Sequence, residues 1–130
     1  MISVSDLKKI PLLSELPESE LTPLSQVLKD RRAPKGSYIV SHEDNGPSMM
    51  FILEGKVKVN LLSRDGKEFV VATLHEGDFF GEIAVLTGEE RSANVVAITE
   101  CRIFVLQKED FDRHLATYPG LARMMLKEMA

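Results

Sequence analysis

Glycine turns at a regular spacing are the feature that most limits what this chain can fold into. Between Arg32 and Gln107, short runs rich in β-branched and aromatic residues alternate with dipeptides that end in glycine. The dipeptides are Lys35-Gly36, Asn45-Gly46, Glu54-Gly55, Asp65-Gly66 and Glu76-Gly77, about ten residues apart. This spacing is typical of an antiparallel sandwich or barrel. It predicts a mainly β fold, an eight-stranded double-sheet jelly roll.

The clearest hairpin in this pattern surrounds Asp65-Gly66. Asp-Gly suits the tight turns whose twist matches that of the flanking strands. In the run before it, Val57, Val59 and Leu61 alternate with polar residues, which predicts that these three side chains share one face of a strand.

Helical patterns flank the roll on both sides. Ser5-Asp6 resembles a cap for a first short helix, and a second helix is predicted from Pro17 to about Asp30. After the last strand, helical spacing returns in residues 108–118 and again from Leu121. We therefore expect one domain over residues 1–130. Its predicted parts are N-terminal helices at 1–31, the roll at 32–107 and C-terminal helices at 108–130, the last of them cut short.

Composition excludes several classes of protein. The net charge is −4, and no dense basic face is evident, so we expect no nucleic-acid partner in this chain. No apolar run approaches the roughly 18 residues of a membrane span. The N-terminus shows no secretory signal, and the single cysteine, Cys101, allows no internal disulfide. These features predict a cytoplasmic protein without a membrane segment.

Catalytic and metal chemistry are also weakly represented. The three histidines, His42, His75 and His114, lack the spacing of metal ligands, so no metal is expected. Glu89-Glu90 could suggest an acid–base pair, but sequence neighbours rarely face one centre, and a solvated loop tip fits better. No serine or cysteine has the pattern of an activated nucleophile. The prediction is that the chain is not an enzyme.

Residues 79–97, FFGEIAVLTGEERSANVVA, hold the strongest functional signal. A glycine before a short apolar turn leaves backbone N–H groups free, and these favour an anion. Arg91 can grip two oxygens of a phosphate. Glu82, an acceptor, suits a hydroxyl beside that anion, so a sugar phosphate or nucleotide would fit. The alternative is an ordinary bend at Gly81 with a surface Glu82–Arg91 pair.

The same run resembles a known motif. Phe80-Gly81-Glu82-Ile83-Ala84 is followed by Arg91-Ser92-Ala93, with nine residues from the glutamate to the arginine. This pattern is similar to the phosphate-binding cassette of the cyclic nucleotide-binding domain family, here residues 80–93. The order of helices, roll, cassette and helices extends the resemblance over the whole chain.

The resemblance implies a role for each cassette residue. Arg91 would pair with the cyclic phosphate, and Glu82 would accept a hydrogen bond from the ribose 2′-hydroxyl. The N–H groups of Ile83 and Ala84 would lie at the phosphate, and Gly81 would allow close approach to the ribose. Ser92 and Ala93 would flank the phosphate or base. The residues expected at the base are Val59, Ala72, Leu74 and Arg123.

The family further implies a regulatory sensor that binds a cyclic nucleotide and needs no cofactor. Ser92 stands where a threonine is associated with cyclic GMP, so cyclic AMP is favoured, with cyclic GMP as the alternative ligand. Binding would move the C-terminal helices, which would contact an output domain or form a homodimer. Two other readings stay open: the sensor half of a catabolite-activator-type transcription regulator, or a non-binding dimerisation or docking domain. One cysteine and scattered histidines argue against a haem or redox sensor.

Overall fold

Two antiparallel sheets flanked by helices form the fold. The structure, a computed structural model, describes residues 2–40, 46–89 and 93–130. The helices are α1 (Val4–Leu7), α2 (Pro11–Ser14), α3 (Glu18–Val27), α4 (Glu82–Thr87), α5 (Lys108–Thr117) and α6 (Gly120–Met129). The strands are β1 (Lys29–Ala33), β2 (Tyr38–Val40), β3 (Ser48–Glu54), β4 (Val57–Leu62), β5 (Glu68–Leu74), β6 (Phe79–Phe80), β7 (Asn94–Ala97) and β8 (Cys101–Gln107).

Each sheet contains four strands, in the orders β1-β8-β3-β6 and β2-β7-β4-β5. Every recorded strand pair is antiparallel. Both sheets pair strands that are distant in sequence. In the first sheet β8 lies between β1 and β3, and in the second β7 lies between β2 and β4. The predicted eight-stranded double-sheet roll with flanking helices is therefore confirmed over the part of the chain that the structure describes.

Strand β3 of the first sheet is buried on both faces, and this explains its apolar sequence. Met50 and Ile52 of β3 join the core between the two sheets. Met49, Phe51 and Leu53 of the same strand join a second core that contains residues of the N-terminal and C-terminal helices. Because a strand alternates its side chains, a strand with a core on each side must be apolar at every position. The run MMFIL, residues 49–53, meets that requirement, and the strand ends at the exposed Glu54.

The hairpin predicted at Asp65-Gly66 is confirmed. Strands β4 and β5 pair on either side of it, and Gly66 has a φ of 85°. The register shifts between Val59 and Asn60, which marks a bulge in the β4–β5 pairing. Val57 is buried, Val59 is half-buried and Leu61 is 40 % exposed. The apolar side chains of β4 therefore become more exposed toward the turn of the hairpin.

The N-terminal segment differs from its prediction in two ways. The cap of α1 is Ser3, whose hydroxyl accepts a hydrogen bond from the Asp6 N–H at 3.0 Å. Helix α3 ends at Val27, and strand β1 starts at Lys29, within the stretch 1–31 that was expected to be helical. Pairing with β8 decides this, since Asp30 binds Arg102 across the strands and Ala33 enters the roll core.

Two short elements were absent from the predicted set. Residues Pro11–Ser14, between the two predicted N-terminal helices, form α2, with Pro11 at the first helical position, where its missing N–H does no harm. The two-residue strand β6 pairs Phe80 with Met50 and Phe79 with Phe51. Within residues 2–40, 46–89 and 93–130, no helix has the length and apolar character that crossing a membrane requires.

Candidate functional site

Gly81 connects strand β6 to helix α4 through a left-handed backbone. Its φ is 86° and its ψ is 7°, a conformation that strains any residue with a Cβ. Phe80, immediately before it, is buried in the core between the sheets. The glycine therefore turns the chain from a strand fixed in the roll directly into a helix.

The start of α4 leaves backbone donors without intrahelical partners. The first bond recorded there runs from the Val85 N–H to the Gly81 carbonyl, over 3.2 Å. The N–H groups of Glu82, Ile83 and Ala84 precede that bond, as the first N–H groups of any helix do. They point along the helix toward its N-terminus, where the dipole favours negative charge. The predicted N–H donors Ile83 and Ala84 are thus side by side in the first turn.

Helix α4 is held by packing as well as by its own bonds. It has only six residues, too few for a stable isolated helix. Ala84 and Val85 are buried, and Val85 joins the core that contains the helices. Ile83 and Leu86 are 52 % and 46 % exposed. The helix thus presents apolar side chains on its outer side.

Glu82 is the first residue of α4 and is half-buried. In the described ranges, its carboxylate has no recorded hydrogen bond or ion pair. An ionised carboxylate accepts hydrogen bonds only, so a hydroxyl is a suitable partner. Glu82 can therefore serve as an acceptor beside the N–H groups of the same turn.

The second half of the cassette is described only in part. Ala93 is half-buried and leads directly into β7, where Asn94 is paired with Asn60 of β4. Arg91 and Ser92, which the resemblance assigned to the phosphate, lie outside the described residues, as does His42. Ala93 nevertheless fixes where that segment rejoins the sheet, next to the strand that carries Val59.

Three of the residues predicted at the base lie on adjacent strands. Val59 and Ala72 face each other across β4 and β5, and Leu74 faces Val57. Val59 and Leu74 pack against the same core as Phe80, and Ala72 is exposed. The structure thus places Val59 and Leu74 at the core that contains Phe80, and it places Ala72 opposite Val59 on the neighbouring strand. Arg123, the fourth residue predicted at the base, is exposed on α6, a helix that follows the last strand of the roll.

One contact near this site had no counterpart in the sequence predictions. The Nζ atom of Lys108, on α5, donates to the carbonyl oxygen of Val85 at the end of α4. The distance is 3.0 Å. A signal was present in the sequence, because a lysine at the first position of a helix faces the unfavourable end of the dipole. A lysine in that position indicates that its ammonium group has a hydrogen-bond acceptor outside the first turn of its own helix.

A roll that presents a glycine turn, free N–H groups and a carboxylate offers donors to an anion and an acceptor to a neighbouring hydroxyl. Residues 30–118 match the sequence profile of the family described as "Cyclic nucleotide-binding domain". The chain belongs to this family.

Individual relatives agree with that assignment. The chain is 34 % identical over 124 residues to a putative potassium channel protein of Rhodopseudomonas palustris, covering 95 % of this chain and 29 % of that protein. A regulatory subunit of a cAMP-independent protein kinase A from Trypanosoma brucei superposes with a TM-score of 0.81 and 29 % identity, covering 96 % of this chain and 45 % of that one. The catabolite activator protein of Thermus thermophilus superposes with a TM-score of 0.79 and 28 % identity, covering 92 % of this chain and 56 % of that one. The chain thus spans under a third of the channel and about half of the two structures.

Proposed function

We propose that this chain binds a cyclic nucleotide and serves as a regulatory module rather than as a catalyst. The observation that carries the proposal is the left-handed Gly81 followed by α4, with the Glu82 carboxylate and the free N–H groups of Ile83 and Ala84 in its first turn. Membership of the cyclic nucleotide-binding domain family supports this use of the site. We further infer that residues 1–130 act as one cytoplasmic domain.

The proposed roles follow the chemistry of the ligand. A cyclic phosphate carries one negative charge, which Arg91 would meet with a bidentate pair. The N–H groups of Ile83 and Ala84 would add hydrogen bonds to the phosphate, and Ser92 and Ala93 would flank it. Glu82 would accept from the ribose 2′-hydroxyl, with Gly81 leaving room for the sugar.

For the base we propose a wall formed by Val59, Ala72 and Leu74, with Arg123 reaching it from α6. The half-buried side chains of Val59 and Leu74 are suited to an apolar purine face. Cyclic AMP is our preferred ligand because position 92 holds serine rather than threonine. Cyclic GMP is the alternative, since a serine hydroxyl can also bond to guanine.

The regulatory output is proposed to be a movement of α5 and α6. Ligand at α4 would cover the exposed Ile83 and Leu86 and favour one arrangement of the following helices. A ligand can drive this only as far as it binds one arrangement better than the other. The moved helices would then contact an output domain, such as the DNA-reading part of a catabolite-activator-type regulator, or a second copy.

A second candidate function is a docking or dimerisation domain that binds no nucleotide. The exposed apolar residues of α6 favour it: Leu126 is 70 % exposed and Met129 is 44 % exposed. Binding of a protein partner that is unchanged by Arg91→Ala would support this candidate over the sensor.

Calorimetry with cyclic AMP and cyclic GMP tests the main proposal. The unmodified chain should bind at least one of them. Arg91→Ala should weaken binding about a hundredfold or more, since removing one partner of a charge-assisted hydrogen-bonded pair costs ~2–5 kcal/mol. Arg32→Ala, an exposed arginine on β1, is the matched control and should bind as the unmodified chain does. Absence of binding of both nucleotides at high micromolar concentration would refute the sensor function.

A further inference from the structure

Lys108 connects helix α4 to helix α5. Its Nζ lies 3.0 Å from the Val85 carbonyl oxygen and 3.0 Å from Oδ2 of Asp112. The lysine side chain is 32 % exposed, so water only partly screens these contacts. Val85 is fully buried and fixed in the helical core. The ammonium group therefore bonds to the backbone of a buried residue of α4.

The charge is placed between the ends of two helices. Lys108 is the first residue of α5, where the helix dipole disfavours a cation. Asp112, one turn later, compensates part of that charge. The Val85 carbonyl belongs to the C-terminal end of α4, where the dipole favours a cation. The position that is unfavourable for α5 is thus favourable for α4.

The Lys108 contact also satisfies one of the carbonyl groups in the last turn of α4. The Ile83 carbonyl accepts from the Thr87 hydroxyl, and the Ala84 carbonyl accepts from the Gly88 N–H. The next carbonyl, that of Val85, accepts from Lys108. A six-residue helix has little stability of its own, so fraying at this end would also loosen the N–H groups at its start. Those N–H groups are the ones assigned above to the phosphate.

We propose that Lys108 is a positioning residue of the nucleotide site. It keeps α4 formed with its N–H groups in place, and it links the position of α4 to that of α5. This inference rests on the proposed cyclic nucleotide binding. Because coupling between two sites is reciprocal, a ligand at α4 then changes the environment of α5 through the same bond.

Three variants test the proposal by calorimetry with the cyclic nucleotide that the unmodified chain binds. Lys108→Met keeps the length of the side chain but removes the donor, and we expect affinity to fall about three- to tenfold. Lys108→Arg keeps a cationic donor and should restore most of the affinity. Lys35→Met, an exposed lysine in the turn after β1, is the matched control and should leave affinity unchanged.

Amide hydrogen exchange separates positioning from a general loss of stability. In the unmodified chain, ligand should slow exchange in both α4 and α5. In Lys108→Met, saturating ligand should still protect α4 but change α5 much less. Equal affinity and equal protection of α5 in Lys108→Met and the unmodified chain overturn the proposal.

The same measurements distinguish this inference from the function on which it rests. If the unmodified chain binds no cyclic nucleotide, the sensor function fails, and the ligand-free exchange rates then decide the role of Lys108. Faster exchange of the Gly88 and Val85 amides in Lys108→Met than in Lys35→Met supports its positioning of α4. Identical rates in both variants overturn it.

Discussion

Glu20 on α3 and His114 on α5 form a buried pair, with 3.0 Å between Oε2 of the glutamate and Nε2 of the histidine. Their side chains are only 4 % and 3 % exposed. The same carboxylate accepts hydrogen bonds from the N–H groups of Gly120 at 3.1 Å and Leu121 at 2.9 Å. It therefore caps the N-terminus of α6 and joins three helices at one point.

Glu20→Gln should lower the free energy of unfolding by about 1–3 kcal/mol, because the amide places a donor where one of the acceptor oxygens stood and leaves a buried partner unsatisfied. Urea denaturation monitored by circular dichroism measures this. Glu18→Gln, on the same helix but exposed, is the control and should change stability by about 0.5 kcal/mol or less. Equal effects of the two substitutions would contradict a structural role for the Glu20 contacts.

Gly120→Ala should destabilise the protein, although alanine is the better helix former. A Cβ at position 120 would overlap Oε1 of Glu20 and lie 2.8 Å from Cδ2 of Leu16. Crowding of this kind in a packed region costs about 1–3 kcal/mol. The double variant with Glu20→Ala should show a smaller effect of the alanine, because the nearest clash is removed. An unchanged or raised unfolding midpoint for Gly120→Ala alone would show that the junction has room for a methyl group.

Stability should depend on the ionisation of Asp30. Arg102 donates to both oxygens of this carboxylate, from Nε at 3.1 Å and from Nη2 at 2.8 Å. These hydrogen bonds hold the pKa of Asp30 below its ordinary value. The folded pKa is the lower one, so the pair stabilises the protein above the ordinary pKa of aspartate and loses that effect as the pH falls through the folded pKa.

Asp30→Asn should therefore cost about 0.5–1 kcal/mol at neutral pH, discounted because the pair is partly exposed. The difference from the unmodified chain should shrink as the pH falls below about 4. Denaturation curves at neutral and acidic pH measure it, with the exposed Glu109→Gln as control. If the difference in unfolding free energy between Asp30→Asn and the unmodified chain were the same at every pH, the ionisation of Asp30 would not be its cause.

The Cys101 thiol should react slowly in the folded protein. Its side chain is buried, and its Sγ lies 3.3 Å from the carbonyl oxygens of both Lys56 and Thr99. Burial raises the pKa of this thiol, which lowers the thiolate fraction at neutral pH. Labelling with a thiol reagent should be about a hundredfold or more slower in buffer than in urea. Rapid stoichiometric labelling of the folded chain would show that the start of β8 often unfolds locally and exposes the Cys101 thiol.

Glu82→Gln should weaken binding of cyclic AMP but leave binding of its 2′-deoxy analogue nearly unchanged. The reason is that a carboxylate accepts a stronger hydrogen bond from the ribose hydroxyl than an amide oxygen does, by about 1–2 kcal/mol, or roughly tenfold in affinity. Calorimetry with both ligands measures the difference. Glu89→Gln, exposed just beyond α4, is the control. A similar loss of affinity for both ligands would show that Glu82 does not bind the 2′-hydroxyl.

Much of the fold was predictable because its signals are local. The Asp65-Gly66 hairpin depends on two residues and their backbone preferences, and the structure shows strands on either side of it. The glycine spacing predicted the eight-stranded roll, and the cassette pattern with its Gly81 and Glu82 predicted the family. The roles of Arg91, Ser92 and the residues at the base remain predictions that binding measurements will decide.

Other features depend on residues far apart in the chain, and no local pattern contains them. Lys29–Ala33 becomes a strand because β8, about seventy residues later, offers its edge and Arg102 binds Asp30. His114 was interpreted only as a poor metal ligand, since nothing near it in sequence indicates Glu20 as its partner.

By itself, then, the sequence determined the turns, the strand periodicity and the cassette pattern that indicates the family, because each depends on neighbouring residues and their intrinsic conformations. Only the tertiary structure decided where α3 ends, which carboxylate caps α6 and which cation supports α4. Those outcomes depend on burial and on charges brought together across the fold. Their free energies exist only once the two sheets and the helices have packed.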